Sequence, residues 1–478
     1  MSDHFDTLYI DGQWREANGG ERFDVLNPAD ESVVAKVADG TVEDARRAMD
    51  AASAALPAWS AKAPRERAEI LRKAFELMIA EEDRFARLIT LENGKALSDS
   101  VGELRYAAEF FRWYAEEAVR NLGSVSVAPS SGARILVHHK PAGVAILVTP
   151  WNFPAAMATR KIAPALAAGC TCILKPAAET PLTMLLLADI LERAGVPGGV
   201  VNMLTSSRSG DVVSAMLRDP RARVLSFTGS TGVGRTLLKE AAENIVNPRM
   251  ELGGNAPFIV FEDADIDAAV SGAMVAKMRN MGEACTAANR FYVHDAVHDA
   301  FADRLSAAMA ALKVGNGLDE GVAVGPLVNA KTRDKVEELV ADALAKGARL
   351  LTGGERLDNR GYFYKPTVLA DVPDIARCMH EEVFGPVAPI QRFDDEDAVI
   401  ARANDTEFGL ASYVYTGDQK RGLRVSERLE YGMVGLNRGL ISDPAAPFGG
   451  VKQSGLGREG AQEGMKEFLE TQYISTDW

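Results

Sequence analysis

VAILVTPWNFPAAMATRKIAPALAAGCTCILK, residues 144–175, decides the fold. Its two ends read as strands, 144–149 and 171–175, and the segment between them from Ala155 reads as a helix. The alternation continues downstream with a helix from Thr180, a strand over 199–204, a helix near Gly210 and a strand over 223–227. Strand and helix in strict alternation favour a parallel, doubly wound sheet that holds its ligand at the carboxyl ends of the strands. The dinucleotide fingerprint G-x-G-x-x-G is missing. Gly229-Ser230-Thr231-Gly232-Val233-Gly234 spaces its glycines differently, and alone it is weak evidence for a phosphate loop. Past Glu251 a second alternating unit begins, with a strand at 257–261, a helix at 264–281, a loop carrying Cys285, a strand at 290–294 and a helix from Val297. A further helix at 330–346 precedes strands near 349–352 and 367–369. This is a second α/β domain facing the first, and a cleft between two such domains suits a reactive ligand.

Upstream, the first fifty residues hold short strand-like pieces such as 7–10, followed by an Asp11-Gly12 turn signal. Helical periodicity starts at Thr41 and again near Pro64, where Ile70, Leu71, Ala74, Phe75 and Met78 share one face. A long helix covers about residues 98–121, and its aromatic residues, Tyr106, Phe110, Phe111, Trp113 and Tyr114, read as packing. Residues 124–139, SVSVAPSSGARILVHH, are two strand-like runs around a turn. Such a hairpin has edges that need covering, and the strand-like run 468–476 is a candidate partner.

A chain of 478 residues is too long for one simple core. Its net charge of −14 argues against nucleic-acid binding, because a phosphate backbone attracts basic surfaces. Four cysteines in this length make no disulfide framework, and a reducing cytoplasm suits them. The acidic N-terminus MSDHFDTLYIDGQW lacks the apolar core of a signal peptide, and no run approaches the length of a membrane span. Cys170 and Cys172 form a C-x-C pair without further Cys or His ligands, so no metal is assigned.

The chemistry gathers in residues 251–290, which run from the carboxylate of Glu251, read as part of a Gly-rich turn, to Cys285 in the loop GEACT. A lone cysteine among apolar residues is ordinarily a small buried hydrophobe. A thiol can also attack a carbonyl carbon, and a nearby carboxylate can activate water to release the product. The segments MELGGNAP (250–257), GEACTAANR (282–290), TPWNFP (149–154), FTGS (227–230) and EEVFGP (381–386) together resemble the aldehyde dehydrogenase superfamily, nearest its succinate-semialdehyde dehydrogenase branch.

The resemblance implies two open twisted α/β domains, a variant Rossmann cofactor domain and a catalytic domain, with a β-strand oligomerisation arm. The implied division is 1–121 with 141–250 for the dinucleotide, 251–455 for catalysis, and 122–140 with 456–478 for an arm joining subunits into a homodimer or homotetramer. It implies Cys285 as nucleophile, Asn152 and the Cys285 N–H as oxyanion donors, and Glu251 as the base that hydrolyses a thioester to a free acid. Thr149, Pro150, Trp151, Gly229 and Ser230 are implied beside the dinucleotide, with Lys175 at the adenosine ribose, and Glu382 and Phe384 at the nicotinamide end. NAD-using relatives carry a glutamate three positions after that lysine; here the position is Ala178, followed by Glu179, which favours NADP over NAD. If that segment is extended, Glu179 faces away from the ribose.

Arg160, Arg279 and Ser442 match the positions at which the succinate-semialdehyde branch holds a carboxylate, a task suited to the planar donor fork of guanidinium. The implied substrate is therefore a small aldehyde with a distal carboxylate; glutarate semialdehyde and broader aliphatic or aromatic aldehydes are the alternatives. Two departures stand out: Arg438 replaces a small or acidic residue, and Ala287 occupies the place of a second cysteine found in some members.

Overall fold

The computed structural model describes residues 6–357 and 360–478; residues 1–5, the start of the segment read for a leader, and 358–359 lie outside the described residues. An eight-stranded sheet organises the first α/β domain. From edge to edge it runs Gly455–Leu456, Asn247–Glu251, Ala222–Thr228, Val144–Val148, Thr171–Lys175, Val201–Met203, Leu8–Ile10, Gln13–Arg15. The five middle strands are parallel, and the short outer ones are antiparallel. Alternate side chains of one central strand serve two cores. Ala145 and Leu147 pack with the helices Pro154–Ala168 and Leu182–Ala194, whereas Val144 and Ile146 pack with Val42–Ala61 and Ser209–Leu217. A strand buried on both faces needs the near-continuous apolar run that VAILV supplies.

The helix Pro154–Ala168 has proline in its first turn and Gly169 at φ 94° after its last residue, and all 15 of its residues are buried. A buried N-terminus needs partners for its free N–H groups. Glu103 supplies one, accepting from Ala155 N at 2.8 Å and Ala156 N at 3.3 Å. Glu92 does the same for the helix Leu182–Ala194, accepting from Leu182 N at 2.7 Å and Thr183 N at 2.9 Å.

The second domain is built on a seven-stranded sheet ordered Arg349–Thr352, Thr367–Ala370, Val387–Phe393, Ala288–His294, Ala256–Val260, Ala411–Tyr415, Met433–Leu436, parallel except for its first strand. The predicted hairpin forms as Ser124–Val127 and Arg134–Pro141, and Leu469–Thr476 pairs with its second strand from Leu469↔Pro141 to Thr476↔Arg134. Glu251 differs from the expectation. It is the last residue of the strand Asn247–Glu251, and the glycine turn follows it. The expected helix 264–281 ends as Ile266–Met278, because Asn280 and Met281 both adopt left-handed backbone angles. Among the described residues no helix is long and apolar enough to cross a membrane.

Candidate active site

Strand order in the first sheet reverses between Val144–Val148 and Ala222–Thr228, and the loops leaving these two strands part to open a crevice. A cavity of about 220 Å³ lies there, lined by Pro150, Trp151 and Asn152 after one strand and by Thr228, Gly229 and Ser230 after the other. Cys285, Glu382 and Phe384 close it from the second domain. Glu251 ends a strand of the first sheet, while the Cys285 loop leads into Ala288–His294 of the second. The carboxyl edge of one sheet therefore faces the amino edge of the other. Glycine allows the approach: a Cβ on Gly254 would lie 2.6 Å from the Cys285 carbonyl oxygen.

Asn152 is 3% exposed, and its amide orientation is fixed from both sides. Nδ2 donates to Glu283 O at 3.1 Å, and Oδ1 accepts from Phe153 N at 3.1 Å. The remaining Nδ2 hydrogen belongs on the cavity side, where an oxygen developing negative charge beside Cys285 can receive it. Cys285 itself is a half-buried free thiol. Burial pushes it up to about 12; Arg160 and Arg279 pull it down, while Glu251 and Glu382 add to the rise. The thiol is the resting form near neutrality.

Glu251 is 4% exposed, and neither carboxylate oxygen has a hydrogen-bond partner among the described residues. Burial first, then the like charge of Glu459, raises its pKa well above the carboxylate range against Arg160, Lys161 and Arg458. Glu459 shifts down instead: burial raises it, but Lys161 and Arg160 outweigh that. Lys161 Nζ lies 2.5 Å from Glu459 Oε1 and donates to Ser226 Oγ at 2.9 Å. Arg160 Nε comes within 2.6 Å of Glu459 Oε2 without hydrogen-bond alignment. Of this carboxyl pair, Glu251 is therefore the group whose protonated form its surroundings favour, and Glu459 the one whose ionised form they favour. Lys161 and Glu459 escaped the sequence reading. Two cations in the apolar run PAAMATRKIAPALAA were the available signal, since buried charges require a counter-charge.

The residues around the crevice also fit a dinucleotide. The hydroxyls of Thr149 and Thr228, buried at two strand ends, have no hydrogen-bond partner among the described residues. Ser230 caps the 13-residue helix Thr231–Glu243, whose N-terminus opens toward the same crevice. Glu382 accepts from Gly254 N at 3.1 Å, and burial raises its carboxyl to about 7. Phe384, at φ 52°, meets Trp151 edge-on with ring centroids 5.4 Å apart. Lys175 ends its strand buried, donates to Ser209 Oγ, and is lowered to about 8 by burial against the pull of Glu179 and Asp39. The extended segment expected after Lys175 is not what forms. Residues 178–180 bend, and Glu179 stays close enough to act on the lysine, so Glu179 cannot be set aside as facing away.

The three expected carboxylate-binding residues part company. Arg279 stacks on Phe153 at 4.8 Å and lines a narrow cleft with Thr286, Tyr413 and Ile441. Arg160 is held by Glu459 and the Phe448 ring at 4.0 Å, and its Nη2 has no hydrogen-bond partner among the described residues. Ser442 is half-buried next to Ile441 but is not part of the cleft lining.

Comparison with known proteins agrees with this chemistry. The model of the aldehyde dehydrogenase family matches residues 14–474. A succinate-semialdehyde dehydrogenase of Paenarthrobacter nicotinovorans is 54% identical over 92% of this chain and 98% of its own length. A glutarate-semialdehyde dehydrogenase of Pseudomonas aeruginosa is 52% identical over 98% of this chain and 96% of its own. The crystal structure of an NADP-dependent enzyme of E. coli superimposes with a TM-score of 0.98 at 51% identity, covering 99% of this chain and 98% of the other.

Proposed function

The chain belongs to the aldehyde dehydrogenase family, and from that premise we propose that it oxidises succinate semialdehyde to succinate with NADP⁺ or NAD⁺. The observation that carries the substrate is Arg279, a half-buried guanidinium on the cleft beside Cys285 with no ion pair among the described residues. A fork of donors left open at that depth suits a carboxylate. Arg160, whose Nη2 has no hydrogen-bond partner among the described residues, adds positive charge next to the same thiol.

In this reading the Cys285 thiol gives up its proton to water, its sulfur attacks the aldehyde carbon, and the carbonyl electron pair moves onto oxygen, which Asn152 Nδ2 and the Cys285 N–H receive. Lys175, Ser230, Glu382 and Phe384 would hold the dinucleotide, which when bound would accept the hydride that leaves the carbon as the oxygen's electron pair returns to form the thioester carbonyl. Glu251 in its ionised form takes a proton from water, the hydroxide oxygen adds to the thioester carbon, and the Cys285 sulfur leaves with its electrons. The product is a free acid. The reading extends to a homodimer or homotetramer joined through the three-stranded arm, and to a reducing cytoplasm in keeping with four free thiols.

Glutarate semialdehyde is the second reading, supported by the Pseudomonas relative. One methylene is worth only about 0.8 kcal/mol of apolar burial, so a discrimination of about fourfold is all that burial alone supplies. The test is kcat/KM for succinate semialdehyde, glutarate semialdehyde, butanal and benzaldehyde with each cofactor. The acidic aldehydes should lead. Replacement Arg279→Ala should cost them about 1.5–3 kcal/mol, or on the order of ten- to a hundredfold, and leave butanal nearly unchanged. Butanal oxidised as well as either acid, or equal losses for all aldehydes, overturns the assignment.

A further inference from the structure

Asn280, five residues before the thiol, lies on none of the cavity walls described above, yet it stands between the two loops that carry the chemistry. Its amide Nδ2 donates to Asn152 O at 2.8 Å and to Glu283 O at 3.0 Å, the carbonyl that also receives Asn152 Nδ2. Its backbone N donates to Asp99 Oδ2 at 2.8 Å. Asn280 and Met281 sit at φ 51° and 55°, followed by Gly282 at 80°, three successive residues in the left-handed region. Non-glycine residues persist there only where their surroundings dictate it. Asparagine is at ease in that region, and methionine is not.

A second buried group grips the same carbonyl. Lys95 Nζ donates to Asn152 O at 2.6 Å and to Glu103 Oε2 at 2.6 Å, over the Phe153 ring at 4.0 Å. Glu103 in turn holds the N-terminus of the helix that follows Asn152. Lys95, Asp99 and Glu103 lie in or just before one helix, Leu97–Glu117. That single helix therefore clamps both the loop bearing the oxyanion amide and the loop bearing the nucleophile.

We infer that Asn280 is a positioning residue for the oxidation step, setting the distance between Asn152 Nδ2 and Cys285 by bridging the Asn152 and Glu283 carbonyls, with Lys95 as the second anchor. This rests on the reading of Asn152 as the oxyanion donor. Donors must meet the oxygen at about 2.7–3.1 Å, and a misplacement near 1 Å costs on the order of a hundredfold.

The experiment is a double-mutant cycle of Asn280→Gly with Asn152→Ala, read by the burst of reduced NADP⁺ with succinate semialdehyde. Glycine keeps the left-handed backbone and removes only the amide. Asn280→Gly should slow the burst about 10- to 100-fold in the natural background and leave KM for the aldehyde within about twofold. In the Asn152→Ala background it should change nothing further, because there is no donor left to position. Alkylation of Cys285 by iodoacetamide should keep its rate, since a thiol in a collapsed loop would not. Additive losses in the two backgrounds, an unchanged burst, or a parallel fall in alkylation overturns the inference. Asn152→Ala without effect on the burst refutes the oxyanion reading instead. If the glycine variant does not fold, Asn280→Asp, isosteric and equally tolerant of positive φ, repeats the cycle with the same outcomes.

Discussion

Glu251 and Glu459 show what single residues decide here. Two buried carboxylates divide by environment: the cations Arg160 and Lys161 lie on Glu459 and favour its ionised form, while burial and then the charge of Glu459 push the Glu251 pKa up. An acid acting as a base works above its pKa, so turnover limited by thioester hydrolysis should rise with pH as Glu251 ionises. Replacing Glu459 by Gln removes a like charge and frees two cations, both of which lower the Glu251 pKa. The acidic limb of kcat should then move to lower pH; no shift, or a shift upward, contradicts the account. Cofactor choice is a second matter of one residue. A carboxylate about 4 Å from a 2′-phosphate costs between about 1 kcal/mol in water and about 4 at an effective dielectric of 20. Ala178→Glu should therefore lower kcat/KM for NADP⁺ and keep it for NAD⁺, and an unchanged ratio would hand the choice to Glu179. Cys285, Asn152 and Glu251 were legible because their flanking motifs are distinctive. Glu459 and Asn280 were not, since their meaning lies in contacts with Lys161 and Asn152 far along the chain.

At the level of elements, the alternation after Val144 was readable because parallel strands buried on both faces must be apolar runs, which Val144–Val148 and Ala256–Val260 are. Gly455–Leu456, which returns from the second domain to pair with Asn247–Glu251, has 2 residues and no period to read. The bend after Lys175, on which the reading of Glu179 was conditional, is not legible for a related reason: no local signal separates a short extended exit from a turn. The arm is legible in outline, and its surface adds a prediction. Val125, Leu136 and Ile474 sit opposite one another across its three strands, and Val125 is 67% and Ile474 46% exposed. An apolar row on an open sheet face calls for cover. Lysine at both Val125 and Ile474 should reduce the particle mass measured by light scattering to that of a smaller assembly. An unchanged mass would mean that subunits meet elsewhere.

At the scale of the whole molecule, the carboxyl edge of one sheet opposes the amino edge of the other, the arrangement the proposed reaction requires. Glu251 comes from the first and the Cys285 loop from the second, so neither domain holds both halves of the proposed chemistry. The most direct test separates those halves by stopped-flow absorbance of Glu251→Gln mixed with succinate semialdehyde and NADP⁺. The account predicts one burst of reduced cofactor, close to one equivalent per Cys285, followed by near arrest with the acyl group on sulfur. Steady turnover near the rate of the unmodified enzyme, or no burst at all, would contradict it.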